Sequence, residues 1–83
     1  MTEQQIQSKK IQQLEGLGYY VLKLIKTNKN GIPDILALHP VLGVKFYEIK
    51  TAKGRVSKLQ QYRIEELKKY GFATEIYKGW IFL

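Results

Sequence analysis

The chain has 83 residues, of which 14 are Lys or Arg and 7 are Asp or Glu, for a formal charge of +7. Cysteine is absent and histidine occurs once, which excludes a disulfide scaffold, a thiol nucleophile, a thiolate metal site and a multi-histidine zinc site. A hydrophobic content of 45% excludes wholesale disorder, and the length corresponds to one domain, 1–83.

Thr2 to Leu17 reads as a helix, capped by Thr2, with Ile6, Ile11, Leu14 and Leu17 as its apolar stripe and Gly16 and Gly18 at its end. Tyr19 to Lys26 is rich in β-branched and aromatic residues and reads as a strand. A turn cluster, Thr27-Asn28-Lys29-Asn30-Gly31, leads to a second strand from Pro33 to Leu38. His39 to Gly43 turns the chain into a third strand, Val44 to Lys50, and a loop follows from Thr51 to Val56. Ser57 caps a second helix that runs to Tyr70, with Leu59, Tyr62, Leu67 and Tyr70 expected on its inner face and Gly71 stopping it. Ala73 to Tyr77 and Trp80 to Leu83 read as two short strands turned at Lys78-Gly79. The order αβββαββ lacks strict βα alternation, so an α+β fold with a mixed sheet is expected.

A chain this short buries only about 60% of its unfolded surface, and with no disulfide its core is thin. Association with a second copy is one remedy. The excess of base suits a polyanionic partner. No apolar run reaches the roughly 20 residues that span a bilayer, and Met1 to Gln5 lacks a signal-peptide core, so a cytoplasmic protein with no membrane association is expected.

The informative stretch is Gly31-Ile32-Pro33-Asp34 followed by Glu48-Ile49-Lys50. A hairpin turning around Val41 and Leu42 pairs positions summing to about 83, and Asp34 and Glu48 sum to 82. Directly opposed residues hold their β-carbons roughly 5 Å apart, so these two carboxylates repel unless a cation lies between them. The period of two puts Val44, Phe46, Glu48 and Lys50 on one face, matched by Asp34, Leu36 and Leu38. That face is expected to be the core face, with three charged groups at its end. A plainer reading is a Lys50 salt bridge at a sheet margin.

The Pro33-Asp34 pair, the 13-residue spacer, Glu48-Ile49-Lys50 and then Gln60 opening a helix resemble the virus-type replication-repair nuclease (VRR-NUC) branch of the PD-(D/E)xK nucleases. Glu3 with Ile6 resembles the branch's extra N-terminal acid, and Leu59-Gln60, Glu65-Glu66-Leu67 and Gly71-Phe72 resemble its second-helix region. The resemblance implies a restriction-endonuclease-like core and hydrolysis of DNA phosphodiesters with Mg²⁺ or Mn²⁺. Stand-alone members come from phages and viruses, placing the protein in a host cytoplasm. They tend to be dimers, and some resemble Holliday-junction resolvases in preferring branched DNA. No small-molecule cofactor is implied.

On this reading Asp34 and Glu48 hold the metal, the Ile49 carbonyl is a further ligand, and Glu3 reaches it directly or through water. Lys50 positions or deprotonates water, or stabilises developing charge, and Gln60 orients Lys50, water or phosphate. Lys26 and Lys29 before the motif, and Lys53, Arg55 and Lys58 after it, are candidate phosphate contacts. Each has a plainer rival: Glu3 can serve the helix dipole, Gln60 can be solvated, and the five cations can be surface charge. His39 is expected to be a turn residue rather than a base. Glu15, at the far end of the first helix, ranks below Glu3. A non-catalytic nucleic-acid-binding module that keeps the fold, and a small structural domain, are the rival classes.

Overall fold

A computed structural model describes residues 1–79. The described residues form two helices and four strands: α1 (Glu3–Gly16), β1 (Tyr20–Lys23), β2 (Ile35–His39), β3 (Gly43–Thr51), α2 (Lys58–Lys69) and β4 (Ala73–Gly79). The sheet order is β1-β2-β3-β4. The first three strands form an antiparallel meander, and β4 returns through α2 to lie parallel to β3. A parallel return needs such a crossover. The fold is therefore α+β with a mixed sheet. None of the described helices is long and apolar enough to cross a membrane.

Both helices open with a capping box. The Thr2 hydroxyl accepts the Gln5 N–H, and the Gln5 side chain accepts the Thr2 N–H at 2.9 Å. Ser57 and Gln60 repeat the arrangement at α2. Each box satisfies two of the orphan donors at a helix start. Gly18 and Gly71 take positive φ just after the two helices, and the Phe72 N–H closes α2 on the Leu67 carbonyl.

The core does not lie on the expected face. Ile35, Ala37, Tyr47 and Ile49 are buried under Ile6 and Leu14 of α1. The alternate set, Leu36, Leu38, Val44 and Phe46, faces α2. Both alternations along β2 and β3 are apolar, so the period alone does not choose between them. α1 settles the choice by docking its stripe on the odd-numbered side. Lys10 of α1 also sits over the Tyr77 ring, 4.4 Å from its centroid.

Several element ends differ from expectation. β1 stops at Lys23 because β2 begins only at Ile35 and offers no earlier ladder partner. Pro33, which has no N–H to give, stays outside the ladder. β2 extends to His39, which pairs with Gly43. β4 does not turn at Lys78-Gly79, because β3 continues to Thr51 and pairs with both residues. Gly79 instead serves close packing, since a β-carbon there would collide with Ile6. The strand expected over 80–83 lies outside the described residues.

The expected inner face of α2 is also corrected. Leu59, Tyr62 and Tyr70 are exposed, while Arg63 and Glu66 are half-buried, as are Gln60, Ile64 and Leu67. The last three follow helical spacing on one side. α2 buries no residue fully, so it covers its side of the sheet thinly.

Candidate active site

Asp34 and Glu48 come from the two central strands. The β2–β3 pairs sum to 82 and the ladder ends at Ile35–Tyr47. Asp34 sits one step beyond, at the position facing Glu48. Freed from the ladder, its Oδ2 accepts the Ile49 N–H at 2.8 Å, while its carbonyl accepts the Leu24 N–H at 2.8 Å. The N–H and C=O of one strand residue point to the same side. The Ile49 carbonyl therefore also faces this edge of β3, past the start of β2.

Glu48 is 1% exposed. Its Oε2 accepts a hydrogen bond from Gln60 Nε2 at 3.1 Å and lies 3.6 Å from Lys50 Nζ. Its Oε1 is buried with no partner. Burial, and next the Asp34 charge, push the Glu48 carboxyl up to about 7, with Lys50 opposing them. Native structures seldom leave a buried carboxylate oxygen unpaired, because the cost is large. The plainer Lys50 salt bridge is present, but it accounts for one oxygen only.

An orphaned carboxylate oxygen beside a second carboxylate fits a hard divalent cation. Mg²⁺ needs one or two carboxylates and fills its remaining positions with water and substrate phosphate. The Ile49 carbonyl adds a third oxygen at the same edge. Among the described residues no three His, Cys, Asp or Glu side chains gather closely enough to share an ion. Glu3, the first residue of α1, is therefore not beside the pair. It lines, with Gln4 and Gln7, a cleft of about 270 Å³ that opens on Asp34 and Ile49.

Gln60 has two tasks. Its Oε1 accepts the Ser57 N–H at 2.9 Å in the capping box, and its Nε2 donates to Glu48. Its partner is the carboxylate itself, rather than Lys50. The Ser57-x-x-Gln60 spacing is a capping-box signature, and so is Thr2-x-x-Gln5. That signal was legible in the sequence and shows why Gln60 is held in place.

The five candidate phosphate contacts are all exposed. Lys26 and Lys29 lie on the β1–β2 loop and, with Thr27 and Asn30, line a second cleft of about 200 Å³. Lys53 and Arg55 lie on the loop after β3, and Lys58 opens α2. The β1–β2 loop is tied to α2 at two points. Gly31, at φ +81°, packs under Leu59, where a β-carbon would come within 2.7 Å of Leu59 Cγ. Arg63 Nε donates to the Asn30 carbonyl at 2.8 Å, and its Nη1 donates to Glu66 at 3.1 Å. Arg63 was missed by sequence reasoning, as were Gln4 and Gln7. A contact across 33 positions leaves no periodic trace.

His39 ends β2 rather than lying in the turn, and its side chain braces the turn that follows: its Nδ1 accepts the N–H groups of Val41 and Leu42. Tyr19 packs against its ring and the core. Glu15 lies in the last turn of α1, at the other end of the helix from Glu3.

A family model described as the VRR-NUC domain matches residues 1–80. No curated protein and no solved structure matches the chain. The match spans the whole αβββαβ core, including the strands that carry Asp34, Glu48 and Lys50, and on that evidence the chain belongs to the VRR-NUC family, whose function is of the nuclease type.

Proposed function

We propose that this chain is a metal-dependent DNA endonuclease that acts on branched DNA as a homodimer, with Mg²⁺ or Mn²⁺ as its cofactor. The observation that carries this reading is Glu48, buried with one oxygen tied to Gln60 and Lys50 and the other unpaired. A nuclease domain acts on a polyanion, and the charge of +7 suits one.

Asp34, Glu48 and the Ile49 carbonyl would hold the ion, with Glu3 supporting it through water. A divalent cation there supplies a Lewis acid for the scissile phosphate and an acidified water as nucleophile. Lys50, held beside Glu48, stabilises the negative charge that grows on the phosphorus oxygens. Gln60 fixes Glu48 Oε2 and so would leave the unpaired Oε1 to bind the ion. Lys26, Lys29, Lys53, Arg55 and Lys58 grip phosphates on either side of the cut. Such contacts fix register without reading sequence, which fits recognition of DNA shape.

Cleavage of labelled four-way junction, flap, single-stranded and linear duplex DNA tests the reading, with Mg²⁺, Mn²⁺ or chelator and beside Lys50→Ala protein. The expected result is metal-dependent cutting that Lys50→Ala abolishes, fastest on the junction. Salt-sensitive binding without cutting under any metal would make the chain a binding module. Equal cutting of every substrate would remove the preference for branched DNA.

A further inference from the structure

One face of the sheet is covered by α1, but the other is only half covered. α2 lies along the β3–β4 side, where Gln60 meets Glu48 and Leu67 approaches Phe46. Among the described residues nothing covers the β1–β2 side. Leu36, Leu38, Val44 and Phe46 form the floor of a groove of about 450 Å³, and Leu67, Tyr70 and Phe72 form its wall. Strand register extends the floor with Tyr20 opposite Leu38 and Leu22 opposite Leu36.

Tyr20 is 67% exposed, Tyr70 77% and Phe72 38%. With roughly 200 Å² per aromatic residue, these three leave on the order of 350 Å² of mostly apolar surface. A stable interface takes about 800 Å² from each partner, a little over half of it apolar. The aromatics, with exposed Leu22 and Val44 beside them, supply that apolar share.

We infer that this half-open face is where a second copy of the chain docks, with the α2 of each copy covering the open β1–β2 side of the other. The inference rests on the homodimer proposed above and assigns its surface. The missing cover has the dimensions of α2 itself. A helix of 12 residues is about 18 Å long, and β2, at five residues, is about 17 Å. α2 carries Leu59 and Tyr62 exposed, and Tyr70, which caps it, is exposed too, apolar groups of the kind the groove would bury. A surface that is both groove and filler is self-complementary, as a two-fold interface requires. The groove contains no Lys or Arg, so it is not a phosphate-binding surface. Phe46 and Glu48 are two positions apart on one face of β3, about 7 Å, so the interface would border each copy's carboxylate pair.

Sedimentation velocity at micromolar concentrations tests this on the full chain, with Tyr70→Glu, Val44→Glu and, as a control off the face, Val41→Glu. The wild type and Val41→Glu are expected to sediment as dimers. The two groove variants are expected to associate roughly 100-fold more weakly, with unchanged far-UV circular dichroism. A wild-type dimer that both groove variants leave intact would overturn the surface and spare the homodimer. A wild type that is monomeric throughout would overturn both. The chain lacks cysteine, so Tyr70→Cys gives a second measurement free of introduced charge. Its maleimide labelling is expected to slow at least tenfold between dilute and concentrated protein. A concentration-independent rate in dimeric protein would overturn the surface.

Discussion

Gln60 donates to Glu48 Oε2 across 3.1 Å while its own Oε1 accepts the Ser57 N–H, so one carboxamide joins the start of α2 to the buried carboxylate. Gln60→Glu keeps the capping box, because Glu serves equally at that position, but sets a second carboxylate against Glu48. It is expected to retain the fold yet lose at least tenfold in cleavage rate and in Mg²⁺ affinity. Gln60→Ala removes both contacts and is expected to cost about 1–2 kcal/mol of stability as well. Calorimetric Mg²⁺ titration beside urea melts separates the two effects, and equal Mg²⁺ affinity in all three proteins would deny Gln60 its positioning role.

The raised Glu48 carboxyl makes the metal-free protein sensitive to alkali. Its carboxyl sits at about 7 in the folded chain against 4.5 for the free group, so the folded state binds more protons between those values. Stability falls as pH rises across that window. The loss is about 3 kcal/mol, a drop in Tm of roughly 10–20 °C for a domain this size. Glu48→Gln, neutral throughout, is expected to flatten the dependence and to be the more stable protein at pH 8 without metal. Melts at pH 5 and pH 8 in chelator check this, and a parallel fall in both proteins would refute it.

Divalent metal is expected to reverse that loss. Mg²⁺ or Mn²⁺ at pH 8 should raise the wild-type Tm by several degrees, since a ligand that binds only the folded state stabilises it by mass action. The same ions should move Glu48→Gln and Asp34→Asn by less than a third as much. An equal shift in all three would place the ion elsewhere.

Gly31 and Gly43 share a positive φ but differ in surroundings. A β-carbon on Gly31 meets Leu59, and one on Gly43 meets nothing within 4 Å. Gly43→Ala is expected to cost about 1 kcal/mol from backbone conformation alone, and Gly31→Ala about 2–3 kcal/mol. The pair Gly31→Ala with Leu59→Ala should recover the difference. Denaturant melts of these three variants beside the wild type give the costs, and equal costs at the two glycines would rule out the steric contribution.

Arg63 clamps the β1–β2 loop through the Asn30 carbonyl. Arg63→Ala should speed tryptic cleavage after Lys26 and Lys29 about tenfold at an unchanged Tm, since the loop opens locally. Mass spectrometry of timed digests would show it, and wild-type cleavage rates would mean that Leu59 on Gly31 suffices.

The pairing of Asp34 with Glu48 was legible because a short hairpin fixes register by arithmetic alone, and the observed sum of 82 matches. The covered face was not legible, because Ile35, Ala37, Tyr47 and Ile49 alternate with Leu36, Leu38, Val44 and Phe46. Only docking of α1 distinguishes the two sets. The inner face of α2 was misjudged for a related reason. Leu59 and Tyr70 are core residues by type, yet Leu59 packs over the Gly31 loop and Tyr70 walls an open groove. Gln60 and Arg63 depend on contacts between distant segments, which periodicity does not record.

The mixed topology divides the site between two ranges of contact. Asp34 and Glu48 are brought together by a meander whose turn is only a few residues long. Gln60 arrives with the crossover that seats Ala73 beside Lys45. Local pairings close sooner than distant ones during folding. A nascent chain therefore brings its two repelling carboxylates together before the amide that steadies one of them has docked, and a divalent ion present at that moment would speed folding by relieving the repulsion.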